Sequence, residues 1–317
     1  MSDAFSNYDL YADPYMNRLR NEVEKVKAKK SGGLFIPSDF SHFDSLHYCG
    51  HNYIEDFLES EKVDSQTKIL ELCAGNGSTS RFVADRFKVQ LTAVDFLPAF
   101  NELHRNMNEL CGITNTRIIQ GDATQLDLVG LGLENECQVV YSLQSFYYIA
   151  NKPALFSVCN RALKMGGKLY IEDHVVENNI PLIEKEEEIA VKFQFISRLQ
   201  RQDYVKLLED AGFHVDEYVF RTTEWSRYLF ERSEKFLREK EQIISEYGQE
   251  LWDTRYVAGI HISCRLYHQL GMTLEEAKAA YPLTCTEFGE EEFERWVCEM
   301  PAKFGGAYIK ATKIRNA

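Results

Sequence analysis

The stretch Ile69-Leu70-Glu71-Leu72-Cys73-Ala74-Gly75-Asn76-Gly77-Ser78 decides how this chain is read. Lys68 to Leu72 has the short apolar run of a buried strand. A turn of small residues follows, and Ser78 to Phe87 has helical spacing. A strand that passes through such a turn into a helix opens a doubly wound sheet. Ligands of such sheets lie beyond the carboxyl ends of the strands, where the first turn lets backbone approach them. Gly75 and Gly77 permit that approach. The third glycine of a dinucleotide fingerprint would fall at position 80, which is Ser80. Glu71 is more informative: a carboxylate at this strand end repels a pyrophosphate and attracts a ligand carrying an amino group and a sulfonium.

Working outward, apolar runs predict further strands at Val89 to Val94, Thr116 to Ile119, Cys137 to Ser142, Lys168 to Ile171 and His214 to Phe220. Helical spacing alternates with them at Pro98 to Leu110, at Ala154 to Leu163 with Gly166-Gly167 as its stop, and at Arg201 to Ala211. Gly306 to Ala311 returns as a last strand, and its late return implies an antiparallel edge. Upstream, a charged helix spans Tyr15 to Lys30, and a second is expected around Tyr48 to Ser60. Glu224 to Met300 reads as an all-helical insertion. The expected fold class is α/β: a doubly wound, seven-stranded, mostly parallel sheet of Rossmann-like type. Residues 1–60 are expected to form an N-terminal helical lid, 61–222 and 304–317 the core, and 223–303 a substrate cap. Tyr8, Tyr11 and Tyr15 are expected to pack over the mouth of the ligand crevice.

Two further acids stand at predicted strand ends. Asp95, in Thr92-Ala93-Val94-Asp95-Phe96, is placed to accept both hydroxyls of a ribose. In Gly121-Asp122-Ala123, the acid can reach an adenine amino group and the Ala123 N–H a ring nitrogen. Each has a plainer alternative, a helix cap for Asp95 and a turn for Gly121-Asp122. Acids at the ends of three successive strands favour the ligand reading.

This set resembles the class I S-adenosylmethionine-dependent methyltransferases. Their acid-x-Gly-x-Gly-x-Gly signature maps onto Glu71, Gly75 and Gly77, with Cys73 where the first glycine usually stands. The resemblance implies S-adenosyl-L-methionine as cofactor, with Tyr48, Glu71, Ala74, Gly75, Asn76, Gly77, Asp95, Phe96, Asp122, Ala123 and Ser142 around it. Phe43-Asp44-Ser45-Leu46-His47-Tyr48-Cys49-Gly50 and Tyr141-Ser142-Leu143-Gln144-Ser145-Phe146-Tyr147-Tyr148 are similar to segments of the sarcosine/dimethylglycine and phosphoethanolamine N-methyltransferases. Those relatives often carry Asp where this chain has Gln144, and His near Tyr148.

Composition narrows the acceptor. The 317 residues carry a formal net charge of -13, which repels a phosphate backbone, so no nucleic-acid partner is expected. No run approaches the ~20 apolar residues of a membrane span, and no secretory signal layout opens the chain. The eight cysteines form no C-x-x-C pair; Cys73, Cys111, Cys137, Cys159 and Cys264 read as reduced packing residues of a cytoplasmic protein, and no metal site is expected. A small-molecule acceptor and a monomer or homodimer are expected.

The acceptor side is assigned to His47, Tyr48, Gln144, Tyr147, Tyr148, Asp173 and His174. Tyrosine faces can hold a methylated ammonium, Asp173 just past the fifth strand can pair with one, and His47 can serve as base or clamp. An amine of the glycine, sarcosine, dimethylglycine or ethanolamine type is the leading acceptor. O- or C-methylation of an aromatic, sterol or terpenoid compound is the alternative. A nicotinamide oxidoreductase is opposed by Glu71, by Ser80 and by the late edge strand, and a non-catalytic interaction module by the ribose and adenine acids Asp95 and Asp122.

Overall fold

Helix α1 (Asp13–Lys29), a single turn at Pro37–Asp39, α2 (Ser41–Asp44) and α3 (Asn52–Ser60) lead into strand β1 (Lys68–Leu72). The sheet is then built by α4 (Ser78–Phe87), β2 (Gln90–Asp95), α5 (Pro98–Leu110), β3 (Thr116–Gln120), α6 (Leu128–Leu131), β4 (Cys137–Leu143), α7 (Lys152–Ala162) and β5 (Leu163–Val176). After α8 (Glu184–Lys192) come α9 (Arg201–Asp210), β6 (Phe213–Phe220) and the helices from α10 (Thr222–Arg238) onward, and β7 (Phe304–Lys313) closes the chain. The computed structural model describes residues 13–317 apart from 31, 46, 193–196 and 300–301, so Tyr8 and Tyr11 lie outside the described residues.

Seven strands form one sheet in the order β3-β2-β1-β4-β5-β7-β6, parallel between β1 and β2, β1 and β4, β2 and β3, and β4 and β5. The expected doubly wound sheet is therefore present. Alternation along each strand divides its side chains between two layers. Leu70, Leu72, Val140, Leu169, Ile171 and Val175 pack with Phe156, Tyr204 and Leu208 of α7 and α9. Ile69, Leu91, Tyr141 and Tyr170 pack with Phe57, Leu58 and Val83 of α3 and α4. Glu71 shares the parity of Ile69, so its carboxylate is directed at α4.

Three expectations are corrected. The antiparallel strand is not the edge: β7 lies between β5 and β6 and pairs antiparallel with β6, which is the edge. The burial of each strand shows why. Phe304 to Ile309 are all buried, whereas β6 is largely part-exposed. A strand with neighbours on both sides and both faces covered reads as a near-continuous small and apolar run, as Phe304-Gly305-Gly306-Ala307-Tyr308-Ile309 does. Next, Gly166-Gly167 does not stop a helix but lies within the 14-residue β5. A Cβ on Gly167 would stand 2.9 Å from the Lys164 carbonyl oxygen and 3.2 Å from that of Cys137. The register with β4 shifts between Cys137 and Val139, so the glycines serve an irregularity in the sheet. Last, α3 begins at Asn52 rather than Tyr48, because Cys49 (φ 64) and Gly50 (φ 68) are both left-handed.

Contacts divide the chain into a helical unit, Met1–Glu24, Glu177–Phe195 and Arg221–Gly305, and a sheet unit, Lys25–Val176, Ile196–Phe220 and Gly306–Ala317. The helical unit buries Trp225, Leu229, Phe230, Tyr267 and Phe293. Within it the Arg255 guanidinium stands 4.7 Å from the ring centroid of Tyr15, and buried Lys303 pairs with buried Glu186. No helix among the described residues is long and apolar enough to cross a membrane.

Candidate functional site

The sheet reverses its winding between β1 and β4, and the ends of these strands frame the crevice where doubly wound folds bind ligands. The turn after β1 is shaped by three left-handed residues, Cys73 (φ 60), Gly75 (φ 54) and Gly77 (φ 78). The position of Cys73 is thus one that favours glycine, and a side chain there costs about 1–2 kcal/mol. Gly77 is needed for space as well: a Cβ on it would stand 2.1 Å from Cδ2 of His104. The His104 ring is fully buried, and neither nitrogen has a hydrogen-bond partner among the described residues.

Glu71 is 4% exposed and accepts a hydrogen bond from the Ser80 hydroxyl. Ser80 thus takes the third-glycine place with a function of its own, holding the strand-end acid. Burial raises Glu71 to about 7, against the pull of Ser80 and Tyr141 toward the charged form. Asp95 is also buried and raised to about 6 by desolvation. Its Oδ2 accepts the Gly75 N–H at 2.7 Å and its Oδ1 the Leu97 N–H at 2.9 Å. Asp95 is therefore not the helix cap, since α5 starts from Leu97 with no side-chain cap bond, and its carboxylate ties β2 to the glycine turn. Asp122 folds back on its own loop, accepting the Thr124 N–H and hydroxyl on Oδ1, both at 2.8 Å. Ala123 is buried beside it, whereas Phe96 is 39% exposed just past β2. The Ala74 N–H donates to the Val94 carbonyl at 3.0 Å. Ser142 is fully buried, and its hydroxyl has no hydrogen-bond partner among the described residues.

A buried network escaped the sequence reading. Arg81 of α4 donates from Nη2 to Asp44 Oδ2 at 2.6 Å and from Nη1 to the Asn76 carbonyl at 2.7 Å. Asn76 Nδ2 donates to the Asp44 carbonyl at 2.9 Å, and the Ser78 hydroxyl to Asp44 Oδ1 at 3.1 Å. The side chains of Arg81 and Asp44 are 0% and 2% exposed, so desolvation makes this pair costly, and Arg81 Nε has no hydrogen-bond partner among the described residues. The one local signal was Asp44 itself, an acid in the apolar segment quoted for resemblance.

The acceptor-side candidates separate into two groups. The Tyr48 ring lies edge-on to His174 at 5.5 Å, Tyr147 meets His174 at 4.4 Å, and Tyr147 meets Tyr148 at 3.9 Å. Gln144, just past β4, is left-handed (φ 51) and 6% exposed. Its backbone N–H donates to the Glu172 carbonyl at 2.6 Å, while both amide atoms of its side chain have no hydrogen-bond partner among the described residues. Such a group costs about 1–3 kcal/mol unless a ligand satisfies it.

His47 and Asp173 are committed elsewhere. His47 is buried, its Nε2 lies 3.0 Å from the Gly50 carbonyl, and desolvation lowers it to about 3. It is a neutral ring that donates to that carbonyl, and a poor base. Asp173 was expected just past the fifth strand. Because β5 runs on to Val176, alternation places Asp173 with Ile171 and Val175 instead of with Tyr170. There it accepts the Tyr204 hydroxyl at 3.0 Å and the Tyr147 N–H at 3.1 Å, fully buried, and desolvation raises it to about 6. Lys152, also missed, braces the same turn through the carbonyls of Phe146 (2.7 Å) and Ile149 (2.6 Å). No group of three or more metal-ligating side chains occurs among the described residues.

Comparison with known proteins agrees with this geometry. Residues 69–167 match the family described as "Methyltransferase domain". The chain is 26% identical over 232 residues to phosphoethanolamine N-methyltransferase 1 of Arabidopsis thaliana, which covers 73% of this chain and 45% of that protein. It is 27% identical over 117 residues to the sarcosine/dimethylglycine N-methyltransferase of Aphanothece halophytica, covering 36% of this chain and 40% of that one. The chain therefore spans less than half the length of these curated relatives. Phosphoethanolamine N-methyltransferase 2 of Haemonchus contortus, solved with S-adenosyl-L-methionine, superposes with a TM-score of 0.65 at 18% identity, covering 96% of this chain and 59% of that one. Sheet order and glycine turn agree with the match of residues 69–167 to the methyltransferase-domain family and with the fold of the solved methyltransferase.

Proposed function

We propose that this chain transfers a methyl group from S-adenosyl-L-methionine to a small molecule, with an amine nitrogen as acceptor. The observation that carries the reading is the buried Glu71 beside a turn whose Gly75 and Gly77 are left-handed. A desolvated carboxylate raised to about 7 is unfavourable alone and is matched by a cationic ligand. Asp95 and Asp122 at the ends of β2 and β3 suit the adenosine end, with Phe96 as an exposed ring face. S-adenosyl-L-methionine supplies a strongly electrophilic methyl, so the protein's part is to align the nucleophile and exclude water, worth ~7–11 kcal/mol in favourable cases. An amine that arrives deprotonated needs no strong base, which fits a site whose His47 is held near 3. Gln144, Tyr48, Tyr147, Tyr148 and His174 form the acceptor side.

The test is methyl transfer from radiolabelled S-adenosyl-L-methionine to glycine, sarcosine, dimethylglycine, ethanolamine and phosphoethanolamine, beside a phenol, a sterol and a prenyl diphosphate. Turnover confined to the last three would overturn the amine assignment. In the same assay Gln144→Leu should lower kcat/KM for the acceptor about tenfold and leave cofactor affinity unchanged. The free protein should become about 1–3 kcal/mol more stable in denaturant titration, because two unsatisfied buried atoms are removed. A loss of both activity and stability would place Gln144 in the scaffold.

Glu71 gives a pH prediction. Its folded value of about 7 lies above the ordinary 4.5, so the folded chain keeps a proton that the unfolded chain has lost between these values. That contribution to stability is complete below 4.5 and is lost as pH rises through 7. A bound cation favours the carboxylate, so affinity for S-adenosyl-L-methionine should rise about tenfold from pH 6 to pH 8. Glu71→Gln should flatten the rise in a calorimetric titration. A flat wild-type profile would remove Glu71 from the site.

A further inference from the structure

The Asp44–Arg81 pair closes a ring of contacts that includes the glycine turn. Arg81 holds the Asn76 carbonyl with one nitrogen and Asp44 with the other, and Asn76 holds the Asp44 carbonyl in return. Asp44 also fixes the first residue of α4 through the Ser78 hydroxyl. Apolar side chains of equal volume would fill this space without desolvating two charges. What they would lack is the fixed length and direction of the three polar contacts that join Asp44 to Asn76, Ser78 and Arg81, and of the fourth that joins Arg81 to the turn.

Residues 47–51 continue from that segment and are themselves tightly bound. The His51 ring stacks on Phe82, next to Arg81 on α4, at 4.5 Å and 7°. His47 and the Gly50 carbonyl close the loop across left-handed Cys49 and Gly50. This loop presents the Tyr48 ring to His174 at the end of β5. Both ends carry strain, since Cys73 of the turn (φ 60) and Cys49 of the loop (φ 64) are left-handed without being glycine. A ligand that settles the turn therefore acts on residues 47–51 through contacts of fixed length.

We propose that the Asp44–Arg81 pair positions the acceptor side from the cofactor side, so that a cofactor seated on the glycine turn orders residues 47–51 and sets Tyr48 against His174. The proposal rests on the methyltransferase reading. It makes Asp44 and Arg81 positioning residues and implies that cofactor binding precedes and strengthens acceptor binding.

Hydrogen–deuterium exchange on the whole chain, with and without S-adenosylhomocysteine, tests this without knowledge of the acceptor. In the wild type the compound should slow exchange at least fivefold both at residues 73–78 and at residues 47–51. In Asp44→Asn, the protection at 73–78 should persist while that at 47–51 falls below twofold. Arg81→Lys keeps the charge but loses the two-armed geometry, and it should behave as Asp44→Asn does. It also serves if that variant fails to fold. Protection of 73–78 alone in the wild type, or retention of the 47–51 protection in either variant, overturns the proposal. No protection at 73–78 in the wild type instead overturns the methyltransferase reading beneath it.

Discussion

Arg81→Met should lower the unfolding free energy by about 3–5 kcal/mol, the range for removing one partner of a buried ion pair. The loss exceeds that of an ordinary core truncation because Asp44 stays behind, its side chain 2% exposed, with its countercharge gone and the Asn76 carbonyl unbonded. Asp44→Leu combined with Arg81→Met should recover part of the loss, since no isolated charge then remains. Guanidinium titration followed by circular dichroism reads both values. Trp225, Trp252 and Trp296 all belong to the helical unit, so tryptophan emission would report on the wrong part of the chain. If the single variant unfolds at the wild-type midpoint, the pair is exposed to solvent and the description of the turn is wrong.

Gly77→Ala is expected to raise the dissociation constant of S-adenosylhomocysteine tenfold or more. Two costs combine. Alanine at φ 78 is strained by ~1–2 kcal/mol. Its methyl carbon would also stand 2.1 Å from a ring carbon of His104, which is fully buried and has nowhere to withdraw. Overpacking of that kind costs about 1–3 kcal/mol. The turn can relieve it only by moving off His104, and movement there displaces the backbone that meets the ligand. Gly77→Ala with His104→Ala removes the clash and leaves only the backbone strain, so affinity should return most of the way. Should the double variant bind no better than the single one, the ring is not the obstacle.

The opening strand, turn and helix were legible in the sequence because their determinants are local. Lys68 to Leu72 and Ser78 to Phe87 fall where apolar spacing put them. What escaped was set by distance or by parity. Asp44 and Arg81 are 37 residues apart, and neither carries a local sign of the other. Asp173 was misplaced because β5 continues to Val176, and once a strand continues, alternation decides which layer each side chain enters. Gly166-Gly167 can stop a helix or relieve a sheet irregularity with the same two residues, and only the Cys137 backbone opposite distinguishes the cases. The position of β7 was the hardest to infer, since nothing in a strand's own composition states which neighbours it will join. The acids Glu71, Asp95 and Asp122 were each found at a strand end, but the hydrogen bonds that occupy Asp95 and Asp122 within the protein were not foreseen in detail.

The insertion of β7 between β5 and β6 bears on how the chain is made. β6 leaves the ribosome more than eighty residues before β7, and β7 is the strand it pairs with. Throughout the synthesis of α10 and the helices after it, β6 therefore presents bare amide and carbonyl groups. A nascent strand in that condition invites pairing with other chains. Demand for a holding chaperone should peak during this interval and end when Phe304–Lys313 slots home.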